Sequence, residues 1–224
     1  MVSWHSRERN RVIEHRKIQR HFSTADPILA KVIKQVGPVT LKRQRNRFQT
    51  LVQSIISQQI SMSAARAIRL RLEKRLEPDG IRPETIARLS VEQLREIGLS
   101  RPKAGYMLDL AQKCGDGTVP LSRLARMTDE RVIEQLIQVK GIGRWSAQMF
   151  LIFSLGRPDV FPLDDLGIRT AIARLYNFTE AHGKQHYLEV GDRWKPYATI
   201  GSWYCWRFLD LNRKPKKQKP GSAA

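Results

Sequence analysis

Apolar residues in this chain recur at spacings of three and four, and runs that alternate apolar with polar are nearly absent. A helix turns one side chain in every three or four toward a core and a half-buried strand one in every two, so the spacing predicts an all-α chain. From Arg47 to about Leu76, Phe48, Leu51, Val52, Ile55 and Ile56 keep this spacing, as do Ala64, Ala65, Ile68 and Leu72. Polar Ser57-Gln58-Gln59 interrupts them, which predicts two helices and a polar junction. Ser90 followed by Gln93 is a capping-box pattern that opens a short helix through Ile97, with Gly98 as its stop. Lys103 to Cys114 reads as a further helix. Thr128 or Asp129 can cap another, carrying Val132, Ile133, Leu136 and Ile137, which Lys140-Gly141-Ile142-Gly143 then breaks. The next places Trp145, Met149, Ile152 and Phe153 on one face and should end near Gly156, before Pro158. Asp164 to Tyr176 reads as one more helix, and Trp194 to Leu211 carries the last apolar run.

The balance of charge narrows the partners. Among 224 residues, 40 Lys+Arg face 21 Asp+Glu, a net charge of +19. Such a charge repels itself and suits a polyanionic partner, DNA, RNA or an anionic membrane, with a merely soluble basic protein as the alternative. With 41% hydrophobic residues the chain has enough to bury a core, as one large domain or two small lobes. No run approaches the roughly 18 apolar residues of a membrane span, and the opening MVSWHSRERNRVIEHRKIQRHF is unlike a signal peptide, so a soluble intracellular protein is expected. Cys114 and Cys205 are too few for a disulfide framework, a four-cysteine zinc site or an iron–sulfur cluster; both are expected reduced and buried. His5, His15, His21, His182 and His186 show no metal-ligand spacing and are expected to face solvent. The tail KPKKQKPGSAA reads as a basic, disordered extension.

Two helices joined by so short a Gly-x-Gly turn make an αα-hairpin, because a parallel crossover needs many more residues. Backbone N–H groups at the start of the second helix, with the positive end of its dipole, suit a phosphate, and Lys140 and Arg144 add charge. Alone, Gly-Ile-Gly is equally a plain connector, and no Gly-Lys-Ser/Thr follows to make a phosphate-binding loop of a nucleotide enzyme. About twenty residues on, FPLDDLGIRTAIARL places two carboxylates at a helix start, where Asp serves as a cap. Neighbours in a first turn point about 100° apart, so one of Asp164 and Asp165 can cap while the other faces a cleft.

The combination is more specific than its parts. VKGIGRWSAQMFLIFSLGRPDVFPLDDLGIRTA, residues 139–171, resembles the helix-hairpin-helix and Gly/Pro…Asp signature of a DNA glycosylase superfamily. LVQSIISQQISMSAARAI, residues 51–68, is similar to the matching region of its 3-methyladenine DNA glycosylase II (AlkA-type) family, and with LREIGLSRPKAGYMLDLA the likeness spans roughly residues 25–211. The resemblance implies a DNA glycosylase fold of two helical lobes, the DNA cleft between them and the hairpin on one wall. It implies one domain over 1–211, the first motif at 51–68 and the hairpin and catalytic motif at 131–171, with 212–224 a basic tail. A helix near the N-terminus would cross to the second lobe.

By position, the family's catalytic aspartate falls on Asp165. Breaking an N-glycosidic bond builds positive charge on the deoxyribose, which a carboxylate stabilises while it orients or deprotonates water. A cationic N-alkylated purine leaves without help from an acid, so one carboxylate suffices. Bifunctional members carry a Schiff-base lysine where Trp145 stands, so the resemblance implies a monofunctional enzyme without lyase activity. Trp145 and Trp203 match aromatic residues of the base pocket; Met149 and Leu166 stand where a relative has tyrosines, which makes the pocket less aromatic. Trp206 and Tyr204 are read as core or rim. The plug that fills the duplex after flipping falls on Gln59, with Gln58 beside it and Ser61 nearby, a stretch that equally satisfies a helix junction. Lys140, Gly141, Ile142, Gly143, Arg144 and Ser146 form the phosphate-binding hairpin. No cofactor is required, though the family often holds a monovalent cation, Na or K, on main-chain carbonyls that match Ile137, Val139 and Ile142.

The expected function is excision of alkylated purines, such as 3-methyladenine and 7-methylguanine, from double-stranded DNA in base excision repair. A monomer with no membrane partner is expected, in the bacterial cytoplasm at the nucleoid or in a eukaryotic nucleus. A noncatalytic helix-hairpin-helix DNA-binding module, an RNA binder and a superfamily glycosylase with another lesion preference stay open at this point.

Overall fold

A computed structural model gives the fold over residues 4–212, with side chains described from residue 15 onward; the tail after Asn212 and the His5 side chain lie outside the described residues. Among those residues every element is helical. In chain order the helices are α1 (Trp4–Ala25), α2 (Pro27–Val36), α3 (Arg47–Ser57), α4 (Met62–Arg75), α5 (Pro83–Ala87) and α6 (Val91–Glu96). Then come α7 (Arg101–Gly115), α8 (Asp129–Leu136), α9 (Arg144–Phe150), α10 (Leu166–Tyr176), α11 (Lys184–Arg193) and α12 (Ala198–Leu211). A 3-10 turn at Leu124–Arg126 precedes α8, and a π-helical stretch at Leu151–Leu155 continues α9. No helix among the described residues is long and apolar enough to cross a membrane.

The chain divides into two compact units, one from Met1–Thr40 with Phe161–Ala224, the other Leu41–Val160. In the first, α12 packs on α10 and α2, and α1 packs on α2. The N-terminal stretch forms two helices, because the residue before a proline is driven out of the helical region. Asp26, at φ −152°, ends α1, and its Oδ1 accepts the Leu29 amide to cap α2. That carboxylate is 1% exposed. A charge so buried must be hydrogen-bonded, and Oδ2 accepts the Trp194 indole N–H at 2.8 Å and the Tyr176 hydroxyl. Burial and the Asp26 anion together push the Tyr176 phenol far above its ordinary value, which keeps it the donor.

In the second unit α3 lies against α4, α7 and α9, and α5 and α6 pack on α7. Phe48, Leu51, Val52, Ile55 and Ile56 all line the buried face of α3, as their spacing predicts. Each such side chain is worth about 1.5–3 kcal/mol relative to exposure. The two-helix reading of 47–76 holds, as does the Ser90/Gln93 capping box. The helix after the hairpin ends at Gly156, which adopts φ +69° with the Arg43 side chain packed where a Cβ would stand.

Other expectations are corrected. The helix expected from Asp164 starts at Leu166, and α12 starts at Ala198 rather than Trp194, after a turn through Pro196. Helices α5 and α11 are short or mostly polar and gave no apolar period to read. Cys205 is buried but Cys114 only half-buried, its thiol pushed up to about 12 by burial and nearby carboxylates. His186 is exposed, whereas His21 sits edge-on between Phe22 and Tyr197 with Nε2 buried, and His182 stacks on Phe178. His15 likewise has its Nδ1 buried. An imidazole ring can pack edge-on or stacked against other rings, which a search for metal-ligand spacing overlooks.

Candidate active site

The hairpin belongs to the second unit. Thr128 caps α8, the Val139 amide closes a turn on Leu136 and the Ile142 amide one on Val139. Gly141 takes φ +79°, and an added Cβ would stand 2.1 Å from the Tyr106 ring, so backbone conformation and packing both demand glycine. Gly143 differs: at φ −95° it caps α9, with nothing near its would-be Cβ. Helix α7 buttresses the loop. Its Asp109 accepts the Lys140 amide at 2.8 Å, its Lys113 donates to the Gln138 carbonyl and its Tyr106 backs Gly141. Burial would raise the Asp109 carboxyl, but the Lys113 ammonium and the Lys140 amide outweigh it and hold it below the usual carboxylate range.

Lys140, Gly141, Gly143 and Arg144 are exposed, and Arg144 pairs with Glu130. Ile142 and Ser146 are 4% and 6% exposed, so their side chains, unlike those of Lys140 and Arg144, are turned away from solvent. Among the described residues no group of three or more His, Cys, Asp or Glu could hold a metal ion.

Between α3 and α4 the expected plug residues separate. Gln59 is exposed and adopts φ +54°, a conformation a side-chain-bearing residue rarely takes. Gln58 instead donates its amide to the Gly141 carbonyl at 2.8 Å, and Ser61 caps α4 through the Ala64 amide. For these two the helix-junction role is realised. Lys103 of α7 donates to the carbonyls of Ile56 and Gln58, which fixes the chain on both sides of the end of α3; burial lowers its ammonium from the ordinary lysine value.

In the same unit a cavity of about 260 Å³ opens between α3 and α9, with Trp145, Met149, Phe150 and Phe153 on its α9 side. Trp145 is 40% exposed, so its ring presents a large apolar face, whereas Met149 is half-buried.

In the first unit Asp165 is half-buried at the N-cap of α10. Its Oδ1 accepts the Ile168 amide at 2.9 Å and the Trp206 indole N–H at 3.0 Å. The expected division of labour between the aspartates therefore does not hold: the residue matched to catalysis is itself the cap, and Asp164 is exposed. Gly167 makes room, since a Cβ there would meet Asp165 Oδ1 at 3.1 Å and the Trp206 ring at 3.2 Å. Leu166 is 78% exposed. Trp203 is buried, its ring edge-on to Tyr204 and the Arg207 guanidinium 5.6 Å from its centroid. Trp206, read from sequence as core or rim, is thus a partner of the candidate carboxylate. Its spacing of three from Trp203 was a signal that the two share a helix face. Asp109, Tyr106 and Lys103 were missed because a supporting residue on a distant helix leaves no local motif.

Similarity to known proteins identifies the family. The model of the HhH-GPD superfamily base excision DNA repair protein matches residues 52–196. DNA-3-methyladenine glycosylase 1 of Schizosaccharomyces pombe is 33% identical over 210 residues, covering 91% of this chain and 92% of that protein. A crystal structure of DNA-3-methyladenine glycosidase from Bacillus halodurans superposes with a TM-score of 0.76 at 36% identity, covering 85% of this chain and 89% of that one. The S. pombe 3-methyladenine DNA glycosylase in complex with abasic DNA gives 0.77 at 32% identity, covering 89% of this chain and 100% of that one. With a hairpin pinned by α7, an aspartate capping the following helix and a family match over most of its length, the chain belongs to the HhH-GPD superfamily of base excision DNA repair proteins.

Proposed function

We propose that this protein is a monofunctional DNA glycosylase that excises alkylated purines, 3-methyladenine and 7-methylguanine among them, from double-stranded DNA. The observation that carries the reading is Asp165, whose carboxylate is fixed by the Ile168 amide and the Trp206 indole. As the C1′–N bond lengthens, its electron pair leaves with the cationic base and positive charge gathers on the sugar. The Asp165 carboxylate stabilises that charge and takes the proton from the water that attacks C1′. Donors already aimed at the anion spare it reorganisation during the step. Trp145, standing where bifunctional members have a lysine, can form no Schiff base, so the product is an intact strand with an abasic site. Lys140 and the hairpin backbone meet DNA phosphates, and Gln59 enters the duplex. The Val139 carbonyl, which accepts the Ile142 amide, keeps a second lone pair; with those of Ile137 and Ile142 it would hold a monovalent cation.

The test is release of free methylated purines from alkylated duplex DNA by the wild type and by Asp165→Asn. Asparagine caps a helix as well as aspartate does, so the substitution removes the charge and keeps the helix start. Release by the wild type, with a loss of about a hundredfold or more in a variant that still binds DNA, is expected. Equal release by both would move the role to another carboxylate, and strand cleavage without added base would overturn the monofunctional reading.

A further inference from the structure

The junction between α3 and α4 carries more than Gln59. Ile60 and Met62, on either side of Ser61, are 38% and 89% exposed. A single apolar side chain in solvent is ordinary, but two within three residues, directly after an exposed residue at φ +54°, make an apolar tip. The backbone beneath the tip is anchored. Lys103 donates to the Ile56 and Gln58 carbonyls, the Gln58 side-chain amide to the Gly141 carbonyl, and the Ala64 amide to the Ser61 hydroxyl. The Gln58 bond also ties the tip to the hairpin, the element that meets DNA phosphates in the reading above. One turn beyond Met62, on the same face of α4, stands Arg66. It is exposed and makes no hydrogen bond or ion pair among the described residues, whereas Arg69 pairs with Glu73, Arg71 donates to the Ile97 carbonyl and Arg75 pairs with Glu96. Ser61, Ser63 and Ala64 are exposed as well, and are too small to hold a duplex away from Met62.

We infer that Met62 enters the duplex beside Gln59 as an apolar wedge against the base pair next to the emptied position, while Arg66 binds a neighbouring phosphate. This wedge presupposes the Gln59 plug of the glycosylase reading above. Extrusion of a nucleotide uncovers the faces of two base pairs, and those faces are apolar where Gln59 is polar. A thioether chain is flexible and polarizable, which suits a gap of irregular shape lined by aromatic faces, and methionine is among the side chains that wedge base steps apart. Met62 gains burial only where a base has left the stack, so it contributes to recognition of the gap. Arg66 meets a charge that every duplex carries, so it contributes to affinity alone.

The experiment uses the full chain and two fluorescently labelled duplexes of one sequence, one intact and one carrying a tetrahydrofuran abasic analogue at its centre. The ratio of Kd values, intact over abasic, measures recognition of the gap. Met62→Ala should lower this ratio about five- to tenfold and leave the Kd for intact duplex within about twofold of wild type. Met62→Leu, which keeps the apolar volume, should hold the ratio within about twofold. Arg66→Gln should weaken binding to both duplexes alike and reduce the slope of log Kd against log salt by about one. Melting temperatures accompany each variant, and because each ratio is internal to one protein sample, partial unfolding cancels. An equal fall in Met62→Leu overturns the wedge, as does a loss in Met62→Ala shared equally by both duplexes; an unaltered salt slope in Arg66→Gln overturns the phosphate contact. Gln59→Ala is measured alongside. A ratio that falls in Gln59→Ala but not in Met62→Ala overturns the wedge and leaves the plug, whereas a ratio that falls in neither overturns the plug reading and the wedge with it.

Discussion

Asp165 unites two roles that chain position alone would divide. As an N-cap it satisfies a helix amide, and as an anion held by the Trp206 indole it is kept in one orientation. Trp206 is accordingly a positioning residue. Trp206→Phe keeps the ring and removes the donor, and a lost hydrogen bond to a charged group is worth about 1.5 kcal/mol or more. The single-turnover rate of base release should fall about tenfold while the Kd for DNA carrying the lesion stays within about twofold. A rate equal to wild type would show that the cap alone positions the carboxylate. The same bond explains why the tryptophan escaped a reading by composition: an indole on an apolar helix reads as core until the acceptor across from it is known.

At the level of elements, the hairpin is held by α7 as well as by its own turns. Gly141 carries the conformational demand and Gly143 does not. Gly141→Ala should cost about 1–2 kcal/mol for the left-handed backbone alone, and more for displacing Tyr106; Gly143→Ser should stay within about 0.5 kcal/mol. Thermal unfolding of the pair checks this, and equal losses would deny the contrast. Asp109 gives the hairpin a pH dependence. Its carboxyl is lowered in the folded state, so its stabilising contribution is complete above the unfolded value near 4 and drains away as pH falls through the folded one. The stability gap between wild type and Asp109→Asn should therefore be constant near neutrality and narrow below about pH 4. A gap that persists at pH 2 would assign it to packing. Element boundaries were legible where caps and glycines marked them, at Ser90, Thr128 and Gly156. They failed at Asp26-Pro27, where two helices abut, and at α5 and α11, whose residues supply few apolar positions to count.

For the molecule as a whole, a charge of +19 sets how it meets a polyanion. Counterion release should make binding to undamaged duplex steeply salt-dependent, with affinity falling about a thousandfold between 50 and 200 mM salt. A titration monitored by fluorescence anisotropy measures this, and a nearly flat dependence would mean that the excess charge serves solubility and not DNA.

The sequence by itself determined the helical class, the hairpin and the ordered pair of motifs, because each is written in residues close together along the chain. Spacing, caps and glycines act over a single turn or loop, and a linear reading captures them. What only the tertiary structure decided is which groups face one another across long stretches of sequence. Gln58 turned out to bind Gly141, Asp109 the Lys140 amide and Trp206 the candidate aspartate. Hydrogen bonds need partners within about 3 Å, and only packing determines which distant residues come that close.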